Sequence, residues 1–308
     1  LSIVPAARRL LHAVPRLVAT ERAETGRHGH GAAVDLELEW RGLPGVGPAD
    51  APAFELAAAD LGTGTYTILA QTASDALDIP IPKITIKIGD SDLPPAAGSV
   101  GSVGAMSYSN VVNDACDKLT NELMAKSGKQ YFARPTASQL MISENISEYQ
   151  TRADSKAPET ADDFSSHSFN ANFAEVRVNQ HTGMVRVTRF LAVTGAGKIL
   201  NPKTARSQII GGNVWGIGMA LTEASEVDPR WGNFVTRNLA DYHVPSNLDI
   251  GELDAIFIRE EETASNKLGV KGIGEVGIVG VAAAVANAVY NATGKRVREL
   301  PITPDKLI

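Results

Sequence analysis

Cysteine is nearly absent from this chain of 308 residues: Cys116 stands alone, so no internal disulfide can form and no iron–sulfur cluster can be ligated from within. Its place in a helical pattern over 111–124 makes it a buried structural thiol, because a reactive thiolate needs an electropositive setting. Positive charge is short as well. Lys and Arg number 29 against 35 Asp and Glu, a net charge of −6, which argues against the basic face that nucleic-acid phosphates require. No apolar run reaches the length of a bilayer span, so no membrane insertion is expected. Also missing are H-E-x-x-H, C-x-x-C, a Walker loop and a Ser-His-Asp spacing, the signatures of common zinc, dithiol, nucleotide and acyl-transfer sites.

What remains is a globular composition, 44% hydrophobic and 21% charged, with one compositional break. The first sixty residues contain no Lys, Asn, Gln, Met, Tyr or Cys, yet hold three of the six His. Residues 1–58 are therefore set apart as an atypical segment, poorly packed or foreign, ahead of a domain at 59–308 made of one or two subdomains. His28 and His30 lie on a glycine-rich stretch without further ligands and read as solvated rather than as a zinc site. Residues 1–17 have no long apolar core and no Ala-x-Ala site, and are not read as a signal peptide.

From residue 60 onward helices and strands alternate. Apolar spacing predicts a helix over 65–77 stopped by Pro80 and Pro82, a strand over 84–88, a glycine- and serine-rich loop over 94–104 and a helix over 106–126. Residues 129–163 are polar and read as a surface excursion. Two alternating runs, 169–178 and 184–193, are joined by a turn with Gly183, which predicts a hairpin. Asn201 and Pro202 supply an N-cap and an N1 proline for a helix ending near Ala224. Within that helix Gly211, Gly212, Gly216 and Gly218 each cost about 1 kcal/mol relative to Ala, so either another helix or a cofactor must approach it closely. A turn at 228–232, a strand at 255–259 and a buried apolar helix at 278–292 complete the reading.

The densest signal is Gly269-Val270-Lys271-Gly272-Ile273-Gly274-Glu275-Val276-Gly277, one acid among glycines just before an apolar helix. Glycines let a backbone approach a ligand, and a helix N-terminus offers N–H groups to an anion. The stretch also spells G-x-G-x-x-G, but about 20 residues on stand Lys295, Arg296 and Arg298 instead of the acid of a dinucleotide fold. Taken alone, Glu275 is either a catalytic acid in a ligand loop or a surface acid stabilised by a helix dipole. One carboxylate, several glycine-rich turns and the amide of Gln208 suit a large organic cofactor held by backbone groups.

These residues resemble a known family, the molybdenum-binding large subunits of the xanthine dehydrogenase and aldehyde oxidase type. The likeness runs through Asp60-Leu61-Gly62-Thr63-Gly64-Thr65-Tyr66-Thr67, Gly89-Asp90-Ser91-Asp92-Leu93-Pro94, Leu200-Asn201-Pro202, Gln208-Ile209-Ile210-Gly211-Gly212, Ala240-Asp241-Tyr242-His243-Val244-Pro245 and 269–308, about four fifths of the chain in family order. The wording around Glu275 is most similar to periplasmic aldehyde oxidoreductases that use a molybdopterin cytosine dinucleotide. The resemblance implies an α+β molybdenum-cofactor-binding domain and oxidation of a small-molecule aldehyde to a carboxylic acid with water as the oxygen source. The same cofactor hydroxylating an N-heteroaromatic ring, and a non-catalytic module, are the alternatives. Glu275 matches the general base, expected to be buried. Gln208 matches a Gln that hydrogen-bonds the pterin, and Lys271, Gly272, Ile273 and Gly274 match cofactor-contacting backbone. Gly62, Thr63, Gly64, Thr65, Gly101, Ser102, Lys198, Ile199, Leu200, Asn201, Pro202, Lys203 and Thr204 fall where the family wraps the pterin and dinucleotide. Electrons would leave through an iron–sulfur subunit and an FAD subunit. Family subunits are over twice this length, so the chain is expected to be a C-terminal portion; bacterial periplasm and cytoplasm both remain open.

Overall fold

The computed structural model describes residues 18–19, 23–24, 34–41, 52–155, 163, 165–261 and 264–308. In chain order the strands and helices among them are β1 (Val18–Ala19), β2 (Ala23–Glu24), β3 (Val34–Arg41), β4 (Pro52–Glu55), α1 (Thr65–Leu77), β5 (Thr85–Lys87), α2 (Gly104–Ser127), α3 (Ala137–Ser143), β6 (Glu148–Ser155), β7 (Phe169–Val178), β8 (Val185–Gly195), α4 (Pro202–Leu221), β9 (Val227–Asp228), β10 (Asn233–Phe234), β11 (Glu252–Ile258) and α5 (Val281–Thr293). They form two α+β layers, each with its own core.

In the first layer the strand order is β5-β4-β3-β6. β3 runs antiparallel to both β4 and β6, and β4 is parallel to β5. Period-two alternation puts Leu36, Leu38 and Trp40 inward and Glu37 and Glu39 outward. The inward face meets Leu69 and Leu77 of α1, Val111, Val112 and Leu119 of α2, and Leu140 and Met141 of α3. Each such side chain contributes about 1.5–3 kcal/mol on full burial. Poor packing, expected for 1–58, does not hold for β3 and β4: Leu36, Leu38, Trp40 and Phe54 are all 0% exposed. An unusual composition still carries a strand's alternation. Residues 1–17, His28 and His30 lie outside the described residues.

The expected excursion over 129–163 is also corrected. Thr136 and Gln139 close a capping box at the start of α3, and β6 pairs with β3 from Glu148 to Ser155. Few apolar anchors suffice here because Leu140, Met141 and Ala153 are all buried. Cys116 is buried in α2, and burial pushes its thiol up from the ordinary value.

The second layer has the order β1-β7-β8-β11, with β2 also on β7. β7 and β8 are the expected hairpin, and Gly183 takes φ 70° in its turn. β11 lies parallel to β8. Across this sheet, Ala174, Val187 and Phe190 pack with Ile217 and Ala220 of α4 and Val281, Val285 and Val289 of α5. Asn201 caps α4 as the sequence predicts, its Oδ1 accepting the Thr204 N–H at 3.0 Å, and the helix stops at Leu221, short of Ala224.

Candidate functional site

The two layers meet at a cleft of about 270 Å³. One wall comes from the loops before α1 and α2, with Leu61, Thr63, Thr65, Ser99, Val100, Gly101 and Ser102; the other comes from Lys198, Ile199, Leu200 and Asn201, from Thr204 and Gln208 of α4, and from Val270, Lys271, Ile273, Gly274 and Glu275. Fourteen of the residues implied by the resemblance thus face one space, counting Thr63, Thr65, Gly101, Ser102, Lys198, Ile199, Leu200, Asn201, Thr204, Gln208, Lys271, Ile273, Gly274 and Glu275.

Five do not line it, and their positions explain why. Gly62 and Gly64, at φ 89° and 88°, donate their N–H groups to Oδ1 of Asp60 at 2.8 and 3.2 Å, and the Tyr66 N–H reaches Oδ2 at 3.3 Å. Asp60 therefore occupies donors that an external anion would need. Burial pushes its carboxyl up, but the N–H groups of Gly64, Tyr66, Gly62 and Thr63 together outweigh this and hold it below the ordinary value. Pro202 and Lys203 are exposed on the first turn of α4. Gly272 sits behind Ser102, where a Cβ would come within 2.5 Å of the Ser102 carbonyl oxygen.

Glu275 is held through its main chain. Its N–H donates to Ser102 Oγ at 2.8 Å, and Ser102 adopts φ 61°, an uncommon left-handed conformation for a residue with a side chain. The Glu275 side chain is exposed, contrary to the burial expected of it, because nothing among the described residues reaches over this side of the cleft.

The approach expected along α4 proves to be protein. A Cβ on Gly212 would lie 2.6 Å from the carbonyl carbon of Gly277, and one on Gly216 would lie 2.4 Å from Val281 Cβ. The glycines admit the loop carrying Glu275 and the start of α5 against α4, and this places Gln208 and Glu275 in one cleft. Gly211 has nothing among the described residues within 4 Å of its would-be Cβ.

Sequence reasoning missed Glu260 and Asn266. Glu260 Oε2 accepts from Gly197 N at 2.9 Å and pairs with Lys271 Nζ at 3.2 Å, which turns the Lys271 head group away from service as a freely mobile cation. Asn266 brackets Val270, donating to its carbonyl at 2.7 Å and accepting its N–H at 3.0 Å. Neither belongs to a local motif, and no sequence pattern short of the fold would have found them.

Beside the lysines Lys198 and Lys271 and apolar side chains such as Leu61, Val100, Leu200 and Ile273, the wall offers neutral hydrogen-bonding groups, among them the hydroxyls of Thr63, Thr65, Ser102 and Thr204 and the amides of Asn201 and Gln208. Only one carboxylate, Glu275, stands among the described lining residues. A Cβ on Gly274 would sit 3.2 Å from Ser102 Oγ and 3.9 Å from Gln208 Oε1, so its absence leaves room between those two groups. This fits a polar organic ligand lying against main chain. Among the described residues no group of three or more His, Cys, Asp or Glu is placed to hold a metal directly, and no helix is long and apolar enough to cross a membrane.

The sequence pattern of the molybdopterin cofactor-binding domain matches residues 53–251. The chain belongs to that family. The match starts at the second residue of β4, inside the stretch set apart by composition. Among relatives of this family, the aldehyde oxidoreductase molybdenum-binding subunit PaoC of Escherichia coli K12 is 43% identical over an alignment of 259 residues that covers 81% of this chain and 35% of that protein. The 6-hydroxypseudooxynicotine dehydrogenase complex subunit gamma of Paenarthrobacter nicotinovorans is 29% identical, covering 80% of this chain and 34% of that one. The chain thus spans about a third of the length of these relatives. The fold is shared with the aldehyde oxidoreductase from Desulfovibrio desulfuricans, at TM-score 0.73 and 23% identity over 98% of this chain and 33% of that one. It is shared also with a Cu,Mo-CO dehydrogenase, at TM-score 0.79 and 18% identity over 98% of this chain and 42% of that one.

Proposed function

We propose that this domain forms one wall of the active site of a molybdenum hydroxylase that oxidises aldehydes to carboxylic acids, with water as the oxygen source and Glu275 as the general base. The observation that carries this reading is that Glu275 is the one carboxylate among the described residues lining a cleft whose wall also carries neutral donors, apolar side chains and the lysines Lys198 and Lys271. Identity of 43% to an aldehyde oxidoreductase subunit over 81% of the chain supports the aldehyde as substrate.

Molybdopterin, in its cytosine dinucleotide form, is held in this reading by Gln208 at the pterin, by the backbone of Lys271, Gly272, Ile273 and Gly274, and by the segments at Gly62, Thr63, Gly64 and Thr65, at Gly101 and Ser102, and from Lys198 to Thr204. The contribution of Gly62 and Gly64 is conformational, since Asp60 already uses their N–H groups. When bound, the cofactor supplies the two-electron oxidation. Glu275 takes up the proton of the water-derived oxygen at its carboxylate as that oxygen bonds to the aldehyde carbon. The C–H bond at that carbon breaks, its electron pair being the two electrons of the oxidation and its hydrogen ending as a second proton released to solvent. The Ser102 tether fixes where the carboxylate starts from. Glu275 is exposed among the described residues, so in this reading the cover that keeps bulk water from the reacting carboxylate comes from outside them. The two electrons released per aldehyde pass to an iron–sulfur subunit and an FAD subunit.

Hydroxylation of an N-heteroaromatic ring is the second reading, supported by the 29% identity to the nicotine 6-hydroxylase large subunit of Paenarthrobacter nicotinovorans. Glu275→Gln keeps size and polarity but cannot accept a proton. In an enzyme assembled around this domain it should lower turnover of an aromatic aldehyde by at least about 10² with molybdenum content intact. Near-normal turnover rules out Glu275 as the base. Faster oxidation of a quinoline-type ring than of any aldehyde favours the second reading, and an assembly without molybdenum points to a non-catalytic module.

A further inference from the structure

The loop that carries Glu275 is tied down on the side away from the cleft by a row of buried polar side chains to which the resemblance assigns no role. Just before and along β7, Ser168, Asn170 and Asn172 alternate with Phe169, Ala171 and Phe173, so the three polar groups share one face of the strand. Each is at most 4% exposed. Ser168 Oγ donates to the Gly272 carbonyl at 2.6 Å, Asn170 Nδ2 to the Val276 carbonyl at 3.3 Å, and Asn172 Nδ2 to the Val279 carbonyl at 2.9 Å. From α4, Asn213, assigned with its amide nitrogen inward, donates to the Gly277 carbonyl at 2.9 Å.

The amides themselves are oriented by further bonds. Thr194 Oγ1, on the β8 residue paired with Asn170, donates to Asn170 Oδ1 at 3.0 Å, and Asn170 Nδ2 donates to Asn172 Oδ1 at 3.0 Å. Both asparagines are thereby left with nitrogen facing the loop. Such a buried network is costly unless every member is satisfied. An apolar strand face would pack the same sheet more cheaply, so the polar face must secure something beyond packing. The carbonyls it takes, at 272 and 276, bracket Glu275 on either side.

We propose that Ser168, Asn170 and Asn172 are positioning residues for Glu275, holding the 272–279 main chain so that the Glu275 carboxylate projects into the cleft in one direction. This rests on the reading of Glu275 as the general base. The tethers act on main chain and touch neither substrate nor cofactor, so their loss should lower kcat while KM and molybdenum content stay unchanged.

The test has two arms. In the full chain, hydrogen exchange of the 272–280 amides should quicken about tenfold in Ser168→Ala, as expected for one lost net hydrogen bond, and by at least as much in Asn172→Leu, which also loses the bond from Asn170, with exchange in α1 unchanged. Ser168→Thr, which keeps the hydroxyl, should exchange like the parent. In the molybdenum-loaded assembly the Ala and Leu variants should lose about tenfold in kcat at constant KM, and Ser168→Thr should recover it. Ser168 lies at the margin of the network, so Ser168→Ala serves alone where replacing Asn172 costs the fold. Loop exchange within about twofold of the parent overturns the tether, and faster exchange with parental kcat overturns the positioning role. Parental turnover by Glu275→Gln removes the base itself, and the positioning role with it, by a measurement separate from the exchange.

Discussion

Adjacent glycines in α4 should respond to the same substitution with opposite sign. At Gly211 a Cβ meets nothing among the described residues within 4 Å, so Gly211→Ala should gain close to the full helix-propensity difference, about 0.5–1 kcal/mol. At Gly212 the gain is the same, but a Cβ would lie 2.6 Å from Gly277 C, 2.7 Å from Ile278 N and 2.9 Å from Gly277 Cα. All three are main-chain atoms that no rotamer change can move aside, and Asn213 ties that same peptide to α4. Overpacking of this kind costs about 1–3 kcal/mol, and a rigid neighbour places Gly212→Ala in the upper part of that range, for a net loss of about 1–2 kcal/mol. Two neighbouring Gly→Ala variants should therefore differ by about 2–3 kcal/mol in urea unfolding followed by circular dichroism. The backbone displaced is two residues from Glu275, so Gly212→Ala should also reduce turnover in the assembled enzyme. Equal stability of the two variants would refute the claim that α4 is glycine-rich in order to admit this loop.

Two further outcomes follow from groups already placed. Asp60 is held below the ordinary carboxylate value in the folded chain, so its stabilisation is fully present above the unfolded-state value near the usual Asp range and fades as pH falls through the folded value; Asp60→Asn should flatten the acid limb of a stability–pH curve, and an unchanged limb contradicts its hold on the N–H groups of Gly62, Gly64 and Tyr66. Thr151 Oγ1 is buried without a hydrogen-bond partner among the described residues, so Thr151→Val should stabilise the β3–β6 pair by about 1 kcal/mol in thermal unfolding, whereas destabilisation would show that the hydroxyl is satisfied.

Elements coded by neighbouring residues were legible in the sequence. The helix over 65–77 falls on α1 residue for residue, and the Asn201–Pro202 start of α4 holds because N-cap and N1 preferences are decided within one turn. Nonlocal pairing was not legible. β6 has few apolar anchors and becomes a strand by pairing with β3, more than a hundred residues earlier. β3 and β4 lie in a stretch whose composition points elsewhere, although the alternation of Leu36, Leu38 and Trp40 was present to be read. For the site, glycine spacing along α4 announced a close approach but could not distinguish another helix from a cofactor, since both demand the same missing Cβ, and at Gly212 the approaching group is a loop. The family likeness, rather than periodicity, brought Thr63, Ser102, Gln208 and Glu275 together. Buried amides on β7 pass unnoticed because Asn and Phe alternating at period two look like any half-buried strand.

The placement of the cleft bears on its order. Each layer has its own apolar core, and apart from Leu200, which packs against the first core, the joints between them near the cleft are mainly polar and small. They include Glu275 N to Ser102 Oγ at 2.8 Å, Asn201 Nδ2 to Gln71 Oε1 at 3.0 Å and the Lys267–Asp114 pair at 2.6 Å. Lys267 is 67% exposed in that pair, and exposed ion pairs contribute little, about 0–1 kcal/mol. Local opening at such a seam therefore requires less free energy than unfolding either core. A ligand that touches the loops before α1 and α2 on one side and Gln208 and Ile273 on the other acts as an additional joint, stabilising the closed arrangement in proportion to its concentration relative to its Kd. Binding and ordering of the site are then a single equilibrium, and the rigidity that Glu275 needs comes partly from its own buried tethers and partly from whatever fills the cleft.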